Sequence, residues 1–493
     1  MPNEIELKLR IAKEDIPRLR RHPAILRNLT EKALTRRLVS TYYDTEDLQL
    51  LDRLISLRVR RMSGGWFQAV KAAGHSLAGL HQRLEWEDII SKGEPDYTKI
   101  IDPSLTPIFD NPALREALKP IFTTDMQRTE WQLAYQGSHI ELSLDNGQLI
   151  AGQASEDMTE IELELKHGEI KHLFALALEL QADIPLTIEN ISKAQRGYAY
   201  YRHFPLKTSK ARSISIHPAD SPATTFEQAG WECLRHLQSN QQSAMQGTDS
   251  EGVHQMRIAL RRLRTVLRTF AIEDAYIETE LDWLDTLLAK VRDLDVLQHD
   301  TLPQLKLGTK PLSAIQSIVK QRHKRACSKL RTGLKHPRYQ HLLLTLGNLV
   351  ATGLPAHDKS LKKTVKSRLA HLHKTLLKSG RKFRRLSAEE RHNVRRHARQ
   401  LRDTVELFRE TYPDKKKSKQ AALLSTTLKQ MQILSGNLND LLNARNILHD
   451  MTKRHPALQA VTSWEKIMEK LEKRHHSALP EAWKTLKQTK TFW

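Results

Sequence analysis

Cysteine is the scarcest residue of this 493-residue chain: Cys233 and Cys327 are its only two. They are far apart and in no metal-ligand spacing, which argues against a disulfide scaffold or a thiolate zinc site and suits a reducing compartment. Long apolar runs are missing too. The most apolar window, residues 341–351 (HLLLTLGNLVA), has about half of the roughly 20 residues that span a bilayer. The opening MPNEIELKLR carries charge where a signal peptide needs an apolar core. These absences together predict a cytoplasmic protein with no membrane partner. No recognition helix and no aromatic stacking platform is legible, and aromatics are only 6% of residues, so sequence-specific nucleic-acid recognition is not expected.

What the chain has is length and positive charge. At 493 residues it exceeds a single compact core, and a prior of about 150 residues per domain suggests two to four units. Its net charge of +22 is unevenly spread. Residues 1–205 hold 26 Lys and Arg against 30 Asp and Glu; the remaining residues hold 53 against 27. The whole positive excess therefore lies in the second half, where it favours a polyanion without saying which.

Residues 1–202 alternate short apolar/polar strands with Gly, Asp and Asn turns. Asp145-Asn146-Gly147 is read as closing the strand that begins at Ile140, and helices are expected near Lys13–Leu29 and Glu169–Gln181. Residues 203–222 (HFPLKTSKARSISIHPADSP) are Ser- and Pro-rich without a sustained period and read as a linker. Residues 223–493 show long helical patterns, punctuated near Gly308–Pro311 and Gly353–Pro355. In them His254, Arg257, Arg261 and Arg264 recur at the same spacing as His392, Arg395, Arg399 and Arg402, and Val291-Arg292-Asp293-Leu294-Asp295 has a looser counterpart in residues 438–442. This predicts an all-α domain of two repeats, about 223–355 and 356–493, after an α+β domain of antiparallel strands.

The strands of the first half are charged on their non-apolar face. Period two puts Glu4, Glu6 and Lys8 opposite Ile5 and Leu7. Glu160, Glu162 and Glu164 flank Ile161 and Leu163, and Arg58 and Arg60 flank Val59. Arg83, Glu85 and Glu87 surround Leu84 and Trp86, and Glu141 and Asp145 lie about Leu142 and Leu144. One such strand is ordinary for a sheet with a solvated face. Carboxylates two residues apart on one face, however, lie only about 7 Å apart and repel; a hard cation such as Mg²⁺ or Mn²⁺ explains them better. The clustered Arg and Lys in turn call for an anion, and guanidinium forks match phosphate oxygens. If the sheet closes, its charged face becomes a lumen and its apolar face turns outward to helices.

The ExExK series Glu4-Ile5-Glu6-Leu7-Lys8 resembles the signature of the CYTH, or triphosphate tunnel metalloenzyme, superfamily. Tyr42-Tyr43-Asp44-Thr45, Leu57-Arg58-Val59-Arg60, Lys71, residues 83–87, Arg128, residues 160–164 and residues 192–198 (SKAQRGY) follow in the family's order, over about residues 1–202. The resemblance implies an antiparallel β-barrel tunnel that hydrolyses inorganic triphosphate with Mg²⁺ or Mn²⁺. It implies that Glu4, Glu6, Glu162 and Glu164, with Asp145, hold the metals. Lys8, Arg58, Arg60, Lys71, Arg83, Arg128 and Lys193 would grip the triphosphate, and Lys8, Glu85 and Glu87 would serve catalysis, one of these carboxylates positioning water while another balances charge. Glu160 shares the face and is left as a structural alternative. The family also holds thiamine triphosphatases and class IV adenylyl cyclases; the SKAQRG ending and the fused helical domain most resemble its bacterial inorganic triphosphatases.

In the second half His254, Arg257, Arg261 and Arg264 fall within about an 80° arc at 100° per residue, with Leu260, Leu263, Leu267 and Phe270 opposite. Such a stripe is ordinarily a solvated helix face, but its recurrence at His392, Arg395, Arg399 and Arg402 is not required by solubility. The repeats resemble the CHAD domain over about residues 223–493, which implies that these eight residues bind inorganic polyphosphate. A competing reading is a non-catalytic scaffold for polyphosphate or nucleic acid.

Overall fold

The computed structural model describes residues 3–62, 64–202, 208–214, 216–247, 249–305, 307–355, 360–454 and 463–493. It divides into two compact units, Met1–Leu206 with Lys335–Thr352, and Lys207–Leu334 with Gly353–Trp493.

The first unit is built on nine strands: β1 (Asn3–Ile11), β2 (Leu34–Asp44), β3 (Ser56–Met62), β4 (Gly65–Leu77), β5 (Leu80–Ile90), β6 (Lys119–Tyr135), β7 (Ser138–Ala151), β8 (Ala154–His167) and β9 (Leu186–Ile188). Their order is β5-β4-β3-β2-β6-β7-β8-β1-β9, all neighbours antiparallel, and β5 also pairs with β1. That pairing closes eight strands into a barrel. Along β1's free edge, residues 3–7 pair with β5 and residues 9–11 with β9.

The barrel is apolar outside and charged inside. Leu57, Val59 and Val70 pack outward with Phe109, Leu105 and Leu114 from the short helical segments between β5 and β6. Leu7, Leu9, Ile161 and Leu163 are fully buried on the outward side, where helix α1 (Ile170–Asp183) packs on β1 and β8. Helix α2 (Lys193–Tyr201) starts at Ser192 in a capping box with Gln195; its Gly197 lets the Phe122 ring approach, because a Cβ there would stand 2.2 Å from that ring.

One local expectation is corrected. Asp145-Asn146-Gly147 closes no strand, since β7 runs through it to Ala151. Gly147 is needed for approach rather than for a turn: a Cβ would lie 2.0 Å from the Asp125 carbonyl oxygen on β6. The strand instead closes between Ala151 and Ala154, where β7 reverses into β8 with Gly152 at positive φ (59°). The helical stretch expected near Lys13–Leu29 consists of three short segments, Lys13–Asp15, Ile16–Arg20 and Pro23–Leu26. Pro23 forces His22 into an extended conformation (ψ 130°), which breaks the run. The second helix forms as expected, from Ile170 to Asp183.

The second unit is mostly helical. Its main helices are α3 (Pro222–Ser239), α4 (Ser250–Thr269), α5 (Ala275–Val296), α6 (Thr309–Lys335), α8 (Leu361–Ser379), α9 (Ala388–Phe408), α10 (Lys415–Arg454) and α11 (Ser463–Gln488). Helix α7 (Pro337–Thr352) belongs instead to the first unit. It packs on α1 and β9, with Gln340 Oε1 accepting from the Ile188 amide at 3.0 Å and Gly347 lying against the Phe174 ring. Of the linker read at 203–222, residues 203–207 and 215 lie outside the described residues. In the rest, Ile214 and Ile216 are buried and Ser209 exchanges two hydrogen bonds with Asn240.

Candidate active site and basic groove

Strand register decides which charges meet in the barrel. Lys8 lies opposite Glu162, Glu6 opposite Glu164, Glu4 opposite Arg83, Lys71 opposite Glu85, and Arg128 opposite Asp145, which in turn lies opposite Glu160. A cavity inside the barrel is lined by Glu4, Glu6, Lys8, Arg58, Arg60, Lys71, Arg83, Arg128, Glu162, Glu164 and Lys193, together with Tyr42 and Ser192. Every cation expected to grip triphosphate therefore faces one space. Lys193 arrives not from a strand but as the first residue of α2, so the positive end of that helix also faces the cavity.

Two ionic centres organise the lumen. In the first, Arg128 donates to both oxygens of Asp145 (2.7 and 2.6 Å) and to Glu162 (2.6 Å). Lys193 Nζ sits among Asp145 (2.8 Å), Glu162 (2.8 Å) and Glu160. Lys8 bridges Glu6 (2.8 Å) and Glu162. In the second, Lys71 joins Glu4 (2.5 Å) and Glu85 (3.1 Å), while Arg58 holds Glu85 (3.0 Å) and Glu87 (3.5 Å). Burial opposes charge on Lys8, but Glu162 and Glu6 outweigh it and hold the ammonium above its ordinary value. Burial likewise opposes charge on Asp145 and Glu162, yet their cations keep both carboxyls well below the usual range. Glu160 goes the other way, its carboxyl raised by burial.

Arg60 and Arg83 differ from the other lumen cations. Arg60 donates only to Ser40 Oγ (3.0 Å), Arg83 only approaches His81 Nδ1 (3.4 Å), and neither has a carboxylate partner among the described residues. Burial, then Arg58 and Arg128, lower Arg60 to about 10. His81, fully buried, is kept neutral by that burial and by Lys8, its value pushed down to about 3. Arg60 and Arg83 thus bring positive charge to the lumen that no carboxylate among the described residues pairs with.

The donor set also suits a hard divalent cation. Oxygens of Asp145, Glu160 and Glu162 gather within 4.8 Å of one another, and Glu160 Oε2 is buried with no hydrogen-bond partner among the described residues. Glu160, set aside in sequence as possibly structural, is thus part of the acidic cluster. The Arg36–Glu130 pair (2.7 Å) escaped sequence reading because its partners lie on β2 and β6, strands that only the sheet pairing brings together.

In the helical unit the two stripes come together, because α4 packs on α9. Arg261 reaches Asp403 of α9 at 3.7 Å, and Arg257 reaches Asp285 at 3.4 Å. Arg395 and Arg399 have no carboxylate within ion-pair distance among the described residues. Burial first, then Arg395 and Arg261, hold the Arg399 guanidinium below its ordinary value. The Nε atoms of Arg261 and Arg395 are buried and donate no hydrogen bond among the described residues. Arg264 and Arg402, at the stripe ends, are tied to Asp282 (2.5 Å) and Glu406 (2.7 Å). His254 is held neutral chiefly by burial, and His392 meets Asn439 Oδ1 at 3.2 Å. Asn439, in the looser counterpart at residues 438–442, thus meets the second stripe through His392.

A closed antiparallel barrel with a charged lumen, followed by a basic helical unit, defines the class. Residues 2–198 match the CYTH domain family and residues 228–449 the CHAD domain family, so the chain carries a CYTH domain followed by a CHAD domain. It is 35% identical over 199 residues to the inorganic triphosphatase of Haemophilus influenzae, a match that spans 40% of this chain and about half (55%) of that relative. The crystal structure of the CHAD domain from the plant Ricinus communis superposes with a TM-score of 0.54 at 26% identity, covering 59% of this chain and 99% of that one. No helix among the described residues is long and apolar enough to cross a membrane.

Proposed function

We propose that the barrel hydrolyses inorganic triphosphate to diphosphate and phosphate with Mg²⁺ or Mn²⁺, and that the helical domain binds inorganic polyphosphate. The observation that carries the first part is the pair Arg60 and Arg83, lumen guanidiniums that lack a carboxylate partner among the described residues. A buried charge of this kind is costly unless an anion offsets it. The similarity to an inorganic triphosphatase over this domain supports triphosphate as that anion.

Glu4, Glu6, Glu162 and Glu164 would hold the cation together with Asp145 and Glu160, and it would supply neutralisation of the phosphate oxygens. Arg60, Arg83, Arg58, Lys71 and Arg128 orient the chain of phosphates, and Lys8 and Lys193 stabilise charge on the bridging oxygens as the P–O bond breaks. Glu85 is held by both Arg58 and Lys71 and positions those cations. Glu87, with a single looser partner and a side chain 42% exposed, positions the attacking water and takes its proton.

In the helical domain, Arg257, Arg261, Arg395 and Arg399 would carry the polyphosphate contact, with His254 and His392 beside them and Arg264 and Arg402 at the rim. The matched stripes on α4 and α9 support the two-repeat reading of the helical half, about 223–355 and 356–493, with α7 of the first repeat given over to the barrel unit.

The test is phosphate release from inorganic triphosphate, ATP and thiamine triphosphate, with Mg²⁺, Mn²⁺ or chelator, for the full chain and its Glu4→Ala and Glu162→Ala variants. Triphosphate-selective turnover lost in both variants is expected; full metal-dependent turnover in either sinks the site assignment. For the helical domain, long-chain polyphosphate should displace duplex DNA near physiological salt. A preference for DNA would make the scaffold reading the better one.

A further inference from the structure

The helical unit contains a second cavity whose chemistry differs from that of the basic groove. It occupies about 370 Å³ between α9, α10 and α11, within the roughly 300–1,000 Å³ of small-molecule pockets. Its walls are of three kinds. Phe383, Met431, Leu438, Leu442 and Leu479 form an apolar slot. Arg391, His392 and Arg395 of α9 bound one side, and Glu469, Glu472, Lys473 and His476 of α11 the other. The slot shares His392 and Arg395 with the basic stripe.

The polar groups at this slot are incompletely used. Arg445 takes Glu472 Oε2 at 3.1 Å, but Glu472 Oε1 is buried and receives no hydrogen bond among the described residues. The Nε atoms of Arg391 and Arg395 are likewise buried without an acceptor. A buried unpaired carboxylate oxygen and buried unpaired guanidinium N–H groups are each unfavourable, and together they specify a complementary ligand. It must bring a donor to Glu472, an anion to the arginines, and a flat apolar body between. An alkyl chain supplies no donor, and inorganic phosphate supplies no body.

We propose that this pocket binds an adenine nucleotide, its base in the leucine slot, its exocyclic amine donating to Glu472 Oε1 and its phosphate on Arg391 and Arg395. Because Arg395 also belongs to the stripe, nucleotide and polyphosphate compete there; that corollary alone rests on the polyphosphate reading.

The experiment is photolabelling of the full chain with 8-azidoadenosine 5′-monophosphate, followed by peptide mapping. The label should fall in residues 431–442 or 469–479, and be suppressed by AMP, weakly by IMP and not by ribose 5-phosphate. Leu442→Trp, which fills the slot, should cut labelling by about tenfold or more without changing triphosphate hydrolysis, and Glu472→Gln should weaken AMP by a similar factor and narrow its advantage over IMP. The second variant serves if the first fails to fold. Labelling confined to the barrel, suppression by ribose 5-phosphate equal to that by AMP, or labelling unchanged in both variants would overturn the proposal. Loss of triphosphate hydrolysis in the Glu4→Ala chain bears on the barrel alone, so the two readings fail separately.

Discussion

Among single residues, the lumen sets two kinds of cation apart. Arg128 and Lys193 are engaged by carboxylates, whereas among the described residues Arg60 meets only a serine hydroxyl. Arg60→Met should therefore leave the melting temperature unchanged or raise it, since an unpaired buried charge is removed. It should also cut kcat/KM for triphosphate by about 10–100-fold, the loss of a charge-assisted hydrogen bond. Thermal denaturation beside steady-state kinetics checks both, and a destabilised but fully active variant would refute the assignment. A different pairing governs pH dependence in the helical unit. His323 hydrogen-bonds Asp295 (2.8 Å), and this, with Cys327 beside it, raises the imidazole to about 10. Raised above its ordinary value near 6.5, it contributes stability that is complete below about pH 6.5 and is lost as pH rises through 10. Melting curves from pH 6 to 10.5 should converge for wild type and His323→Gln at the alkaline end and separate at the acid end. Parallel curves would show the pair to be inert.

At the scale of elements, the barrel depends on long strands that stay in register. Apolar/polar alternation made the strands legible and placed Glu4, Glu6 and Lys8 on one face, because a strand's side-chain period is two whatever it pairs with. Alternation does not say where a strand ends. Asp145-Asn146-Gly147 has turn composition, yet the close approach of β6 to Gly147 keeps it extended and turns Asp145 toward Arg128. Gly147→Val should consequently push β6 and β7 apart beside Asp145. We expect a melting temperature lower by several degrees, from about 1–3 kcal/mol of overpacking, and weakened triphosphate turnover, measured by calorimetry and phosphate release. A variant with wild-type stability would mean the strands can separate there at little cost.

For the molecule as a whole, the chain does not divide where its composition changes. Helix α7 lies more than a hundred residues into the basic half, yet it packs on α1 and β9 of the barrel unit. A chain ending at Arg202 lacks α7 and uncovers Phe174, which is fully buried against it. Such a truncation should melt lower than the barrel unit in the full chain and aggregate more readily. Supplying residues 335–352 as a tethered segment should recover both properties, as thermal denaturation and light scattering would report. Equal melting of the truncated and intact barrels would show α7 to be dispensable.

The sequence by itself determined what is periodic and local: the charged faces of the strands, the two His/Arg stripes at one spacing, the split of charge between halves, and the break at Gly353. Each follows from backbone geometry that needs no partner. Tertiary structure alone decided which charges neutralise one another, because strand register and helix packing bring together residues remote in the chain. It placed Glu160 with Asp145 and Glu162, left Arg60 and Arg83 without carboxylates among the described residues, and set Arg261 beside Asp403. It also carried α7 to the barrel, where an apolar face is buried against whichever surface completes its packing.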